Sequence, residues 1–417
     1  MKNSNHNNLV SGIDIGSEKI YCAIGLRFPE TSKVKLLGIG ISPVNESFKK
    51  GTISNRNILI NQIEIAVNEA EIMADQKINN AYISLTGDHI KSMNTQSAIA
   101  LNRNNNIDNN SISQKDINRV LELTQGIALP PDRDILHTIP QEFIVDTLEK
   151  IANPVGLSGR RLEGHVHLVT AARTAMKNLV ESTEEIGIKV NGLILKPLAA
   201  ASASLTKDEI ELGVSLIDIG ATTTGVAVFK EGAIRHSAII PIGSQNITND
   251  IAVMLRTSIN TAENIKIKYS SAKASLSSPN LDFKISDSED TEDRNISEYK
   301  LSEYVEARME EIFQLSRKEI NRAGLNDALT YGLVLTGGGA QLRNISALAK
   351  DFFSTPVRIG KPIIKIEGNK NFIDKPINAT VLGLLIWPYI YYNQHSKHEK
   401  NVFSLFNNIK QLIKDFF

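Results

Sequence analysis

Two short segments of this sequence carry an aspartate and a glycine in the same arrangement and could bind a phosphate group. Residues 10–16 read ValSerGlyIleAspIleGly, and ValSerLeuIleAspIleGly recurs at 214–220. Each copy is an apolar run that ends in Asp-x-Gly and is followed by a second apolar run, which predicts a strand, a tight turn and a returning strand. Either turn alone is compatible with an ordinary hairpin. Two of them facing each other would clamp a polyphosphate, and the repeat predicts a chain of two related halves.

The residue types around each turn suit an anion and its counter-ion. The predicted phosphate-binding residues of the first turn are Asp14, Gly16, Ser17 and Lys19. Those of the second turn are Asp218, Gly220, Thr222 and Thr223. Glycine lets backbone N–H groups approach an anionic oxygen, Lys19 offers a point charge, and the hydroxyls can donate hydrogen bonds. Asp14 and Asp218 are the candidate Mg²⁺ contacts, directly or through the ion's waters.

A third glycine-containing segment completes the predicted site. Residues 332–344 read GlyLeuValLeuThrGlyGlyGlyAlaGlnLeuArgAsn, which predicts a strand, a glycine turn and a helix beginning near Leu342. Gly337, Gly338 and Gly339 would let the backbone lie flat against a planar ring or a sugar. By itself a triple-glycine turn is more often a tight connection. Together the three segments predict a nucleotide, ATP with Mg²⁺, held between two halves of the protein.

The elements between these segments predict an α/β fold. Apolar residues at helical spacing indicate helices at 58–73 and 176–186, which alternate with the strands. The stretch 87–163, rich in Asn, Pro and Gly, reads as an inserted small domain, and the polar passage 270–297 as a solvated loop or excursion. The apolar run 381–392 is too short to cross a bilayer, so we expect a buried helix there.

Composition excludes several classes of protein. Of the 417 residues, 41% are hydrophobic and 22% charged, as in ordinary globular proteins. The 46 basic and 46 acidic residues cancel, so we expect no nucleic-acid partner. The single cysteine, Cys22, excludes an intramolecular disulfide and a cysteine-based zinc site. The polar start has no secretion signal, so we expect a cytosolic protein.

With these motifs the chain resembles the actin, Hsp70 and sugar-kinase superfamily, and within it the FtsA family of bacterial cell-division proteins. The segments that narrow the resemblance are IleProGlnGluPhe at 139–143 and AsnProValGlyLeuSerGly at 153–159, which are similar to those bounding the family's inserted subdomain. AlaGluAsnIleLys at 262–266 is similar to the superfamily's Glu-x-x-Lys pair, so the resemblance implies that Glu263 and Lys266 contact the ribose. Without the rest of the pattern, an exposed ion pair would be the better interpretation.

The resemblance implies an actin-like two-lobed α/β fold of two ribonuclease-H-like halves, with an inserted small α+β subdomain and a C-terminal amphipathic helix. The expected division is 1–86 with 164–205 and 378–393 for the first lobe, 87–163 for the inserted subdomain, 206–245 with 325–377 for the second lobe, 246–324 for its subdomain, 394–400 for a linker and 401–417 for the helix.

Two departures from the superfamily pattern bear on mechanism. The second turn lacks two glycines and a distal aspartate that related chains usually have, which makes tight Mg²⁺–nucleotide binding less secure. LysPro stands at 196–197, where related filament-forming ATPases often have Glu-Pro. No carboxylate is evident there to orient an attacking water, so we expect at most a slow ATPase.

Apolar residues of the segment 401–417 recur every three or four positions, which predicts a helix with one apolar face. A basic, aromatic-rich amphipathic helix behind a charged linker is typical of a membrane interface, although a helix docked on the protein's own core has the same pattern. The resemblance to the FtsA family favours the membrane. The predicted membrane contacts are Phe403, Phe406, Ile409, Lys410, Ile413, Lys414, Phe416 and Phe417.

The resemblance implies a scaffold that tethers the tubulin-like FtsZ ring to the cytoplasmic face of the inner membrane at the septum. Such a protein would bind lipids, associate with itself and recruit later division proteins. GluAlaArgMetGluGluIle at 306–312 resembles the family's receptor helix for the C-terminal peptide of FtsZ, with Glu306 and Arg308 as contacts, while a solvated helix face is an equal alternative. Other functions left open are a PilM-like pilus-assembly protein and a superfamily kinase or chaperone-type ATPase.

Overall fold

The structure, a computed structural model, describes residues 8–28, 31, 33–101, 111–278, 282–285, 294–324, 329–362 and 366–389. The strands are β1 (Leu9–Ile15), β2 (Lys19–Phe28), β3 (Lys33–Pro43), β4 (Phe48–Lys49), β5 (Thr52–Ile53), β6 (Asn80–Leu85), β7 (Lys91–Ala100), β8 (Arg133–Val145), β9 (Leu148–Ile151), β10 (Arg161–Ala172), β11 (Lys189–Leu195), β12 (Val214–Ile219), β13 (Thr224–Lys230), β14 (Ala233–Ile240), β15 (Asp282–Ile285), β16 (Arg294–Ser297), β17 (Leu333–Thr336), β18 (Val357–Ile359) and β19 (Ile366–Glu367). The helices are α1 (Arg56–Ala74), α2 (Gln114–Thr124), α3 (Arg173–Glu184), α4 (Lys196–Ser204), α5 (Lys207–Leu212), α6 (Ser244–Leu255), α7 (Ile259–Tyr269), α8 (Glu298–Arg322), α9 (Ile345–Phe353), α10 (Lys370–Ile373) and α11 (Ala379–Leu384).

Two sheets share one strand order, which confirms the predicted pair of related halves. The first runs β11-β6-β1-β2-β3-β19, and the second runs β18-β17-β12-β13-β14. In each sheet three consecutive strands pair antiparallel, and the first of them also pairs parallel with a later strand, β1 with β6 and β12 with β17. The carboxyl ends of β1 and β12 therefore lie beside the carboxyl ends of parallel neighbours, where α/β sheets bind ligands.

Helix α1 shows why the predicted periodicity holds. Its apolar stripe is buried against the first sheet, with Leu59, Ile63 and Ala66 fully covered. Glycines of β3 allow this close packing, because a Cβ on Gly38 or Gly40 would collide with the backbone of α1. The Asn55 side chain caps the helix by accepting a hydrogen bond from Ile58 N at 3.2 Å.

A third sheet, ordered β7-β10-β8-β9, carries helix α2 and builds the segment predicted as an insertion. Its own small core contains Val120, Phe143 and Leu162, all buried. Strand β10 continues without a break across residue 163, where the predicted subdomain ends. The division into subdomains remains a prediction.

Helices α4 and α11 cross in close contact. A Cβ on Gly383 of α11 would collide with the carbonyl of Ala199 in α4, so only glycine permits this crossing. Pro197 of α4 also lies against Gly225 of β13, in the second sheet. Because α4 follows β11 directly, Lys196 stands at the carboxyl edge of the first sheet.

Three sequence expectations need correction or completion. The helix predicted near Leu342 begins at Ile345, because a 3₁₀ turn at Gly339–Gln341 intervenes. The passage expected to be a solvated loop contains, where it is described, the antiparallel pair β15 and β16. The apolar run 381–392 begins as the buried helix α11, and residues 390–392 lie outside the described residues.

Across the described ranges, no helix combines the length and apolarity needed to cross a membrane. The predicted linker at 394–400 and the predicted amphipathic helix at 401–417 lie outside the described residues.

Candidate functional site

The two Asp-x-Gly turns have the same backbone geometry. Gly16 N donates to the Lys19 carbonyl at 3.1 Å, and Gly220 N donates to the Thr223 carbonyl at 2.9 Å. A Cβ on Gly16 would lie 2.8 Å from the Lys19 oxygen, and one on Gly220 would lie 2.9 Å from the Thr223 oxygen. Glycine is therefore needed at both turns because the backbone approaches itself too closely for any side chain.

Hydroxyl groups join the two turns across the cleft. Ser17 Oγ and Thr222 Oγ1 are 2.7 Å apart, and Thr86 Oγ1 and Thr223 Oγ1 are 3.2 Å apart. Lys50 N also donates to Thr222 Oγ1 at 3.3 Å. Ser17 and Thr222, both predicted to contact phosphate, thus already contact each other and link the first turn to the second.

The glycine segment after β17 packs against the second turn, at Asp218 and Ile219. Gly337 has φ +84°, and a Cβ there would come within 2.5 Å of Asp218 Oδ1. A Cβ on Gly339 would collide with Ile219. Gly338 differs, because a Cβ there would meet only the Ile377 side chain, at an ordinary 3.4 Å from Cδ1, and both residues line the cleft. A larger side chain at 338 would therefore extend into the cleft while the turn keeps its shape.

The two aspartates are both buried but differ in their partners. Asp14 accepts from Ser84 Oγ at 2.6 Å and from Lys196 Nζ at 3.2 Å, one bond to each carboxylate oxygen. Asp218 Oδ1 has no hydrogen-bond partner. Burial raises the pKa of Asp218 to about 6; the positive charge of Lys196 opposes this rise, and the negative charge of Asp14 adds to it.

Lys196 is the group that the sequence analysis did not place in the site. Its side chain is 16% exposed, and its ammonium forms an ion pair with Asp14. Burial alone would lower the pKa of Lys196, but the neighbouring carboxylates of Asp14 and Asp218 outweigh burial and raise that pKa overall. The sequence signal for this residue is the Lys-Pro after the apolar run of β11, which by itself indicates a missing carboxylate and not a cation of the site.

Glu263 and Lys266 form a pair inside the site. Lys266 Nζ lies 2.7 Å from Glu263 Oε2 and 2.9 Å from Thr248 Oγ1, and it also donates to the Ser244 carbonyl at 3.4 Å. Lys266 is buried. The pair is therefore part of the cleft wall and not an exposed ion pair on a helix face.

The two turns, the glycine segment and the Glu263–Lys266 pair line one cleft of about 330 Å³. The predicted residues that the structure brings together there are Asp14, Gly16, Ser17, Lys19, Asp218, Gly220, Thr222, Thr223, Glu263, Lys266, Gly337, Gly338 and Gly339. Residues that the sequence did not single out include Tyr21, Thr86, Lys196, Gln341 and Arg343. Gln341 and Arg343 belong to the glycine segment 332–344, Tyr21 to the returning strand β2, and Lys196 to the Lys-Pro after β11. Their side chains reach the cleft through the packing of these elements, which the sequence does not show.

The carboxylates of the cleft decide how a divalent ion could fit there. Among the described residues there is no group of three or more His, Cys, Asp and Glu side chains placed to hold a metal. Both oxygens of Asp14 already have protein partners, and the unpartnered Asp218 Oδ1 faces Gly337. The carboxylates thus fit an ion held by phosphates and reached through water better than one they coordinate directly.

The two residues predicted to contact a peptide lie elsewhere, on α8, and already have partners within the chain. Arg308 donates to Asp250 through Nε at 2.6 Å and through Nη2 at 2.9 Å, and it also contacts Glu311. Glu306 Oε2 accepts from Ala274 N at 2.8 Å. A ligand of this helix would have to share or displace these contacts. The predicted membrane residues between 403 and 417 lie outside the described residues.

Solved structures share this fold. A chain of the PilM-PilN type IV pilus biogenesis complex matches 91% of this chain and 98% of its own length, with a TM-score of 0.65 and 15% identity. MreB5 of Spiroplasma citri bound to ADP matches 93% of this chain and 98% of its own length, with a TM-score of 0.56 and 15% identity. At this identity the likeness concerns the fold alone, which is actin-like.

Sequence comparisons identify the family. Residues 215–383 match the model of cell division protein FtsA, and residues 87–170 match the SHS2 domain inserted in FtsA. FtsA of Pseudomonas aeruginosa is 38% identical over 91% of this chain and 89% of its own, and FtsA of Borreliella burgdorferi is 33% identical over 98% and 95%. The two halves, the inserted sheet and these similarities lead to one conclusion: the chain belongs to the FtsA family of cell-division proteins.

Proposed function

We propose that this protein binds ATP in the cleft between its lobes and acts as an actin-like scaffold that tethers FtsZ to the cytoplasmic membrane during division. The observation that carries the nucleotide proposal is the convergence of two matching glycine turns and the 337–339 segment on one cleft. MreB5 of Spiroplasma citri, which shares the fold, is known bound to ADP and to AMPPNP. Family membership carries the role in division.

Each part of the cleft suits one part of the nucleotide. The turns at Gly16 and Gly220 would hold the phosphates, because backbone amides approach anions most closely where no side chain intervenes. The Glu263 and Lys266 pair would contact the ribose, and the 337–339 segment would lie along the adenosine. An accompanying Mg²⁺ would be held by the phosphates and reach Asp14 and Asp218 through its waters.

Fast hydrolysis is not part of this proposal. Attack on a terminal phosphate needs a group that orients the nucleophilic water. The ammonium of Lys196, paired with Asp14, cannot accept a proton from that water. The cleft would therefore act as a binding switch for assembly, with slow ATPase activity at most.

Membrane attachment would come from the apolar stripe at 401–417, and the FtsZ peptide would dock on α8 near Glu306 and Arg308. Self-association and recruitment of later division proteins complete the scaffold. The likeness to PilM is a likeness of fold at 15% identity, whereas FtsA relatives match about nine-tenths of the chain at up to 38%.

Calorimetry with ATP and Mg²⁺ tests the nucleotide site. Gly338→Leu should abolish binding, because the side chain extends into the cleft where the adenosine would lie. Gly338→Ala is the matched control; its Cβ meets Ile377 at an ordinary distance, so binding should weaken only slightly. Unchanged affinity in a folded Gly338→Leu protein would exclude the cleft as the ATP site.

A further inference from the structure

The cleft already contains a fixed positive charge at its phosphate-facing end. Lys196 Nζ lies 3.2 Å from Asp14 Oδ2 and 3.9 Å from the position that a Cβ on Gly16 would take. The ammonium therefore sits beside the first glycine turn as well as on the carboxylate. Asp218 lines the same cleft, and the charge of the ammonium acts on its carboxyl as well as on Asp14.

The backbone holds this lysine in place. Lys196 is the first residue of α4, which follows β11 directly and packs closely against α11 through Ala199 and Gly383. The next residue, Pro197, lies against Gly225 of the second sheet. Because α4 packs against α11, Pro197 packs against the second sheet and the Lys196 side chain is only 16% exposed, the ammonium has little freedom to leave the cleft.

Without this lysine, two buried carboxylates would face an incoming polyphosphate with no cation between them. A divalent ion usually removes such repulsion by bridging phosphate oxygens and carboxylates. Here one hydrogen-bond donor with a full positive charge occupies the same region. A charge-assisted hydrogen bond to a phosphate oxygen is about twice as strong as a neutral one.

We propose that Lys196 binds a phosphate oxygen of the nucleotide directly and supplies most of the neutralisation that a divalent ion would otherwise provide. The inference rests on the proposed nucleotide site and deepens it. It assigns to this cleft a nucleotide affinity that depends little on Mg²⁺. Lys196 is thus a binding residue and the determinant of metal independence.

The test is the affinity for ATP, measured by calorimetry on the full chain, once with excess Mg²⁺ and once with EDTA. In the wild-type protein, removing the ion should change Kd by less than about 3-fold. Loss of a charge-assisted contact is worth about 10- to 100-fold in affinity, so Lys196→Gln should weaken binding by that factor in EDTA. With Mg²⁺ present the same variant should recover most of its affinity, because the ion then separates the carboxylates from the phosphates.

Two further variants control for fold and for charge. Lys196→Arg keeps the cation and should remain nearly insensitive to EDTA. Lys19→Gln removes an exposed cation of the same cleft and should weaken binding equally with and without Mg²⁺. Thermal melting of each variant reports whether it is folded.

The outcomes separate the two proposals. A wild-type Kd that rises more than about 10-fold in EDTA overturns the inference while leaving the nucleotide site intact, and this result needs no variant. Equal EDTA sensitivity in wild type and a folded Lys196→Gln protein also overturns it. If the wild type binds no nucleotide in either condition, the proposed site itself is refuted and the inference falls with it.

Discussion

Replacing Asp218 by Asn should stabilise the ligand-free protein at neutral and alkaline pH. Asp218 is 3% exposed, its Oδ1 has no partner, and its pKa lies near 6 in the folded protein against 3.8 as the ordinary value. The folded state therefore binds the proton more tightly than the unfolded chain does. As pH rises above 3.8, the carboxyl ionises in the unfolded chain before it does in the folded protein. The free energy of unfolding therefore falls between about pH 4 and pH 6 and stays at the lower value above about pH 6.

The magnitude follows from the difference between the two pKa values. Each pKa unit corresponds to about 1.4 kcal/mol, so the ionised carboxylate costs the fold about 3 kcal/mol at pH 8 and about half of that at pH 5. An unfolding entropy of roughly 2 cal/mol/K per residue converts 3 kcal/mol into about 3 °C for a chain of this length. Asp218→Asn should therefore melt about 3 °C higher than wild type at pH 8, with a smaller gain at pH 5.

The assay is differential scanning calorimetry of both proteins, without nucleotide, at the two pH values. Asp14→Asn is the matched control from the equivalent turn. Its carboxylate is bonded to Ser84 and Lys196, so its removal leaves the ammonium without that partner and should bring no gain. A gain at position 218 that is equal at both pH values, or matched by Asp14→Asn, would refute the reasoning.

Three further expectations concern the turn, the peptide site and the membrane. Gly337→Ala should lower the free energy of unfolding by about 1–3 kcal/mol in denaturant unfolding, because φ is +84° and the methyl would collide with Asp218 Oδ1. A loss of stability no larger than that of Gly338→Ala would contradict this. Arg308→Glu should weaken the affinity for the FtsZ peptide by more than about 10-fold, measured by fluorescence anisotropy. The double variant Arg308→Asp with Asp250→Arg restores the internal ion pair, so recovered affinity in it would show that Arg308 acts through the fold and not on the peptide. Phe406→Glu should release the protein from liposomes in a flotation assay even at low salt. Raising the salt should only weaken liposome binding of the wild type, since two lysines contribute about 1 kcal/mol each near an anionic surface. A variant that still floats would contradict the membrane tether.

The local chemistry of this protein could be predicted from the sequence. The repeated Asp-x-Gly pattern predicted two hairpins, and both have the same turn hydrogen bond. Such features depend on residues close together in the chain, where glycine and strand periodicity dictate backbone shape. The repeat and the inserted segment are visible as sequence patterns and predicted two related halves with an insertion, while the actin-like fold and the family came from the resemblance that these motifs carry.

What the tertiary structure alone decided is how distant residues meet. Ser17 and Thr222 contact each other across 205 positions, and Lys196 reaches Asp14 across 182. The sequence marked Lys196 only as a residue out of pattern, because nothing local says where an ammonium on a helix N-terminus will point. The packing of α4 against strands of both sheets sets the ammonium beside Asp14 in the cleft. The same holds for Asp218 and Arg308. Tertiary packing buries Asp218 and leaves its Oδ1 without a hydrogen-bond partner, and it brings Asp250 to Arg308 from 58 positions away.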